Sequence, residues 1–244
     1  CTTQGVSDWA QYSVQRCAGG ATCATTVTAW QGQATATGEW LQQYLNARYG
    51  STSPALLSAW NKLYKSTLST KYWEPRWWEG SAGAYLLFKR PQRNFSEFGA
   101  HAGDPVKLRR ALNSLLLQAP TYADSPLFQH DVLEFVRHYL SIELDAVLQQ
   151  SIRAYQQGQI AKADVWLEEL SALVQQLDML LGAQPQNLQQ WLTSAMAYGE
   201  SPAESAQYLN QAKMLLTVWG GSQLKDYASR AWQGMYAGFY LPRW

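Results

Sequence analysis

The sequence predicts an all-α fold, an irregular bundle of about seven to eight antiparallel helices with one long loop near 71–103. Three observations predict it. Apolar residues recur at three- and four-residue spacing over most of the chain after Gly38. Ser-Pro and Asp-Pro pairs stand where such periods begin, and glycines stand where they end. No alternating apolar and polar run of strand length interrupts them.

Residues 1–38, rich in Thr, Ala, Gly and Gln, lack a sustained helical period and read as a loosely structured or linker-like segment. Within it, Trp9, Arg16 and Trp30 echo the spacing of Trp40, Arg48 and Trp60, as a worn copy of one hairpin or by chance. The helical domain spans 39–244. Trp40, Leu41, Tyr44, Leu45 and Arg48 form a first helix stopped at Gly50, and Pro54 opens a second with Leu56, Leu57, Trp60, Leu63 and Tyr64. Residues 71–103 hold Pro75, Pro91 and several glycines, and as the longest loop they are a natural carrier of function. Asp104-Pro105 starts a helix through Leu112 and Leu116, and Ser125-Pro126 starts the longest one, about 45 Å to Tyr155 at 1.5 Å per residue. Helices follow at 160–181 and 187–198, then one from the capping box Ser201-Pro202-Ala203-Glu204 to Val218 or Trp219, broken by Gly220-Gly221. A final helix is expected to carry Ala228, Trp232, Tyr236 and Tyr240 as one stripe, with Gly234 and Gly238 clearing room for a close neighbour.

Composition narrows the function classes. Of 244 residues 47% are hydrophobic and 15% charged, which excludes a disordered chain. A net charge of +1 gives no field that recruits nucleic acid or an anionic membrane. No apolar run approaches the roughly 20 residues of a membrane-spanning helix. The 12 Trp and 14 Tyr imply a heavily aromatic core or a surface that stacks flat ligands such as sugars, and composition alone favours the core. Cys1, Cys17 and Cys23 match no zinc spacing. A Cys17–Cys23 disulfide would need an oxidising compartment, and Cys1 fits either a lipid-bearing mature N-terminus or the start of a fragment. Asn94-Phe95-Ser96 is a glycosylation sequon of a length that chance often supplies.

No catalytic constellation stands out. His101, His130 and His138 form no metal motif or triad, His130 and His138 fit a helix face, and Glu168 and Glu169 fit the wet side of another. No metal and no cofactor is expected. The segment Leu215–Trp244 differs: Trp219, Asp226 and Tyr227 gather around a glycine-bearing break, where a phenol and a carboxylate can face a cleft.

That segment, with Thr217, Trp219, Gly220, Asp226, Tyr227, Ala228, Tyr240, Arg243 and Trp244, resembles the C-terminal helical domain of the α-N-acetylglucosaminidases, glycoside hydrolases whose pattern there is Thr-x-Trp-Gly, Asp-Tyr-Ala and Tyr-x-x-Arg-Trp. Upstream stretches EWLQQYLNARYG, APTYADSPLFQHDVLEFVRHYL and LVQQLDMLLGAQPQNLQQWL are similar to the family in collinear order, so the resemblance covers roughly 39–244. It departs where Gln129-His130-Asp131 replaces the family's Arg-Tyr-Asp, and the 71–103 loop matches only around Arg90-Pro91. The resemblance implies retaining, exo-acting hydrolysis of terminal α-linked N-acetylglucosamine by two carboxylates of a barrel upstream of this chain. It implies partners accordingly: a terminal α-GlcNAc glycan and the catalytic barrel of the same polypeptide. Tyr227 would then contact the sugar through its hydroxyl, Asp226 and Trp219 would shape the same wall, and Arg243 and Trp244 would anchor the last helix. It further implies a domain incomplete at its C-terminus, inactive alone, and secreted, periplasmic or at the cell surface in bacteria (lysosomal in animal relatives). The alternative is a free-standing helical module that binds carbohydrate or scaffolds without chemistry.

Overall fold

The computed structural model describes residues 37–67, 85–91, 104–219, 226 and 228–244. The three cysteines, the N-terminal echo, the sequon, His101 and Tyr227 lie outside the described residues. Eight α-helices occur among those described, in order α1 (Thr37–Tyr49), α2 (Pro54–Thr67), α3 (Pro105–Leu116), α4 (Ala119–Tyr122), α5 (Pro126–Gln156), α6 (Ile160–Leu181), α7 (Leu188–Met196) and α8 (Pro202–Thr217). With no named strand among them, the all-α expectation holds.

The start signals work as their chemistry requires. The Asp104 carboxylate accepts from the Val106 and Lys107 amides, both at 3.0 Å, ahead of Pro105. The Ser125 hydroxyl accepts from Phe128 N, and the Asn187 side chain from Gln190 N at 2.8 Å. At α8 the Ser201 hydroxyl accepts from Glu204 N, while the Glu204 carboxylate reaches back to the Glu200 amide, one residue before the usual capping-box partner. The short α4 escapes the periodic reading because it is one turn long with Pro120 inside it.

The centre is the α5–α6 hairpin. Ile142, Leu144, Leu148 and Ala154 of α5 and Leu170, Val174, Leu177 and Leu181 of α6 are buried. Gly158 turns the chain at φ +72°, with Gln159 N donating to Ala154 O and Gly158 N to Tyr155 O, the paired bonds of a Schellman stop. Beside it, α2 packs on α3, and α1 and α3 lean on α5. Where α1, α2, α4 and α5 meet, Tyr49, Trp60, Tyr122, Phe128 and Phe135 interlock edge to face, so much of the aromatic load is core. The α7–α8 hairpin sits apart: α7 has no buried residue, and the Trp191 indole N–H donates to Ala212 O across the pair.

The final segment departs from the expected helix. Residues 228–235 are turns and extended chain, followed by a single π turn, Tyr236–Tyr240, and a 3-10 turn, Leu241–Arg243. Local tertiary bonds outcompete helical ones. Gly234, at φ +85°, lies so close to Leu188 that a Cβ would sit 3.1 Å from that side chain. The Asp178 carboxylate takes the Gly234 and Ala237 amides, Gln233 O takes the Leu188 amide, and the Tyr240 hydroxyl bonds both main-chain groups of Arg230. Gly234 thus has the close neighbour expected of it, whereas a Cβ on Gly238 would meet nothing within 4 Å. Tyr236 and Tyr240 are fully buried, the core outcome expected of the stripe, though no helix carries it.

Candidate functional site

The corner where α8 ends, the 85–91 segment passes and the chain reaches Trp244 collects most of the residues singled out above. The 85–91 segment, one part of the expected long loop, is rigidly held. Its 3-10 turn, Leu86–Phe88, points two amides at the carboxylate of Asp145 on α5, at 2.7 and 3.0 Å. From the other side Arg243 donates to Phe88 O at 2.9 Å, and the Trp244 indole to Leu87 O at 3.1 Å.

Asp226 is the pivot. It is wholly buried and adopts φ +60°. Its carboxylate accepts from Arg90 Nε at 2.7 Å and from Arg243 Nη1 at 3.0 Å, and its amide donates to Thr217 O at 2.8 Å, folding the chain back onto the end of α8. Arg90 Nη2 reaches both Asp226 Oδ1 and Thr217 O at 3.4 Å. Arg243 also stacks its guanidinium over Phe239 and Tyr240, 4.7 and 5.1 Å from the ring centres. Burial pulls the Arg243 guanidinium below its usual range against the upward pull of Asp226, with the Arg90 cation adding to the lowering. Two buried cations on one carboxylate make a corner that needs all three members.

Trp219 closes α8 in an unusual way. The break expected of Gly220-Gly221 begins one residue earlier, with Trp219 itself left-handed at φ +48° and its amide donating to Met214 O at 2.7 Å. A left-handed bulky residue is strained, and glycine is the ordinary occupant of such a helix stop. The side chain is 39% exposed. The structure therefore brings Trp219, Asp226, Arg243 and Trp244 to one corner, with Arg243 and Trp244 fastening the 85–91 segment there.

A polar cluster lies nearby on α5. Tyr85 OH meets His138 Nδ1 at 2.7 Å, Tyr236 OH meets Ser141 Oγ at 2.8 Å, and Arg137 donates to Glu134 at 2.7 Å. Burial pushes the Tyr85 and Tyr236 phenols well above their ordinary range, so both stay protonated. His130 is exposed and His138 half-buried on the same helix, and Glu168 and Glu169 are exposed on α6, as their helix-face reading expects.

Sequence reasoning missed Arg90, Asp145 and Asp178. The two aspartates carried a signal: each is an acid on an otherwise apolar helical stripe, which a helix tolerates only when the carboxylate finds partners. Arg90 carried none beyond its place next to Pro91. Chemically the corner positions groups and does not transfer protons, since its one carboxylate is saturated by two guanidinium groups.

Comparison with known proteins adds the following. The family model for the α-N-acetylglucosaminidase (NAGLU) C-terminal domain matches residues 40–244. Human α-N-acetylglucosaminidase is 28% identical over 211 residues, covering 84% of this chain and 27% of its own length. The family 89 glycoside hydrolase from Clostridium perfringens, solved with 2-acetamido-1,2-dideoxynojirmycin, superposes with a TM-score of 0.75 at 21% identity over 88% of this chain and 26% of its own. CpGH89 from the same organism, solved with its substrate GlcNAc-α-1,4-galactose, gives 0.72 at 22% identity, with the same two coverages. The chain spans about a quarter of the length of these relatives.

Proposed function

The chain belongs to the α-N-acetylglucosaminidase C-terminal domain family, and from that premise we propose that it is the helical domain of an exo-acting α-N-acetylglucosaminidase and builds one wall of its sugar pocket. The hydrolysis is retaining, and its two carboxylates, about 5–5.5 Å apart in such enzymes, belong to a barrel outside this chain. The natural substrate is a glycan ending in α-linked N-acetylglucosamine, met outside the cytosol: secreted, periplasmic or lysosomal.

One observation carries the reading. Among the described residues Trp219 and Asp226 are the non-glycine residues with positive φ, and they bracket the stretch that leads into Tyr227. Backbone strain of roughly 1–3 kcal/mol per residue persists where surrounding contacts enforce it, and it clusters at ligand sites. Here the enforcement comes from Arg90, Arg243 and Thr217. Tyr227 offers its hydroxyl to the sugar, the half-exposed Trp219 ring offers an apolar face to the pyranose, and buried Asp226 fixes the backbone between them.

The test compares wild-type and Tyr227→Phe enzymes carrying both barrel and helical domain. One neutral hydrogen bond is worth roughly 0.5–1.5 kcal/mol, so kcat/KM should fall about 2- to 10-fold on a nitrophenyl α-N-acetylglucosaminide, with the melting temperature unchanged. An unchanged kcat/KM removes Tyr227 from the pocket. The 244-residue chain by itself should give no turnover, and turnover would place a working carboxylate pair within it.

A further inference from the structure

One side chain grips both sides of the stretch that carries the proposed sugar contacts. Arg90 Nη2 reaches Thr217 O, the last carbonyl of α8, while its Nε and Nη2 fork onto the carboxylate of Asp226, where the chain returns. Thr217 O also takes the Asp226 amide, so the exit and the return are tied to each other and to Arg90. Arg243 differs in kind: it shares Asp226, but its second bond runs to Phe88 O and fastens the 85–91 segment instead. The backbone that Arg90 rides on is independently fixed, because Asp145 holds the Leu86 and Leu87 amides and Trp244 holds Leu87 O. The guanidinium is therefore a short arm on an immobile base. Its side chain keeps 36% of its exposure, so it fills no core position.

We infer that Arg90 is a positioning residue for the sugar pocket, closing the mouth of the 218–225 stretch so that Trp219 and Tyr227 are held in one geometry before substrate arrives. This rests on the reading that Tyr227 contacts the sugar. A forked donor is required, since a lysine offers one point charge and cannot hold the carboxylate and the Thr217 carbonyl at once. Pre-positioning of this sort acts on rate as well as binding, because small displacements of a contacting group are costly in the transition state.

The experiment has two arms. In the first, amide exchange is followed in the 244-residue chain for wild type, Arg90→Met and Arg90→Lys. Exchange at Asp226 and its neighbours should speed up in both variants, while Leu86 and Leu87 keep their protection through Asp145. Unaltered exchange at Asp226 would overturn the proposal whatever the role of Tyr227. In the second, kcat and KM are measured for the enzyme carrying both domains, as Arg90→Met, Tyr227→Phe and the double variant. Arg90→Met should lower kcat/KM roughly tenfold, and in the Tyr227→Phe background less than about twofold further, the non-additivity expected when one residue acts through the other. Effects that multiply would show that Arg90 supports the fold generally and would overturn the proposal. A Tyr227→Phe loss beside an unaffected Arg90→Met enzyme overturns the proposal alone, whereas an unaffected Tyr227→Phe enzyme removes the underlying reading and the proposal with it.

Discussion

In the α5–α6 hairpin the buried groups are hydrocarbon, with Leu148 and Leu170 fully enclosed and a glycine closing the turn in the backbone geometry it favours. In the corner around Asp226 the buried groups are a carboxylate and the guanidinium of Arg243, and the left-handed positions fall to Trp219 and Asp226. The hairpin satisfies its backbone within its own helices, whereas the corner satisfies it with side chains from distant parts of the chain. A hydrocarbon contact loses energy in proportion to what is removed. An ion triad fails abruptly, because deleting its one anion leaves two cations facing each other.

The sharpest way to break the comparison is Asp226→Ala. Removing one partner of a buried pair costs about 3–5 kcal/mol, read as a lower urea midpoint of the 244-residue chain. If that loss proves smaller than the loss in the hairpin, the corner is held by packing and not by charge. The hairpin's measure is Leu148→Ala, with an expected loss of about 2–5 kcal/mol from lost burial and the cavity left behind. Trp219→Gly should move stability by no more than about 1 kcal/mol, since relief of the left-handed strain offsets lost ring contacts. It should nevertheless lower kcat/KM in the enzyme carrying both domains, separating fold from function at one residue. The smallest effect is at Glu134. Burial pushes its carboxyl up, but hydrogen bonds from Arg137 and Gln184 outweigh this and hold it below the usual range. A carboxyl with a lowered folded pKa stabilises above its unfolded value, and that contribution is lost as pH falls through the folded one. Glu134→Gln should therefore flatten the acid limb of the stability–pH curve and leave the neutral region almost unchanged.

The two regions also differ in how far they could be read from sequence. Helices α2, α3, α5, α6 and α8 follow from signals a few residues long, so Pro54, Asp104, Ser125 and Ser201 mark their starts in the letters themselves. The corner depends on Arg90 meeting Asp226 across 136 positions, a pairing no local pattern encodes. The terminal segment shows the reverse error. Its i, i+4 aromatic stripe is genuine as a pattern and buried as expected, yet Asp178 and Gly234 turn the backbone away from a helix. The family pattern, by contrast, was legible because Thr217, Trp219, Asp226 and Arg243 keep their spacing whatever the backbone does between them.

The weak fastening of α7 sets an order of failure. The α7–α8 hairpin meets the rest through the Leu188 amide on Gln233 O, the Trp191–Trp232 ring contact and little buried side chain on α7. Segments with few buried contacts open at a lower free energy than the domain as a whole. Because Trp219 ends α8, the first opening on warming would loosen one side of the proposed pocket while α5 and α6 remain folded. Thermal inactivation would then run ahead of the loss of helical signal, and a protease would nick the chain between Ala197 and Ser201 before any cut in the central hairpin.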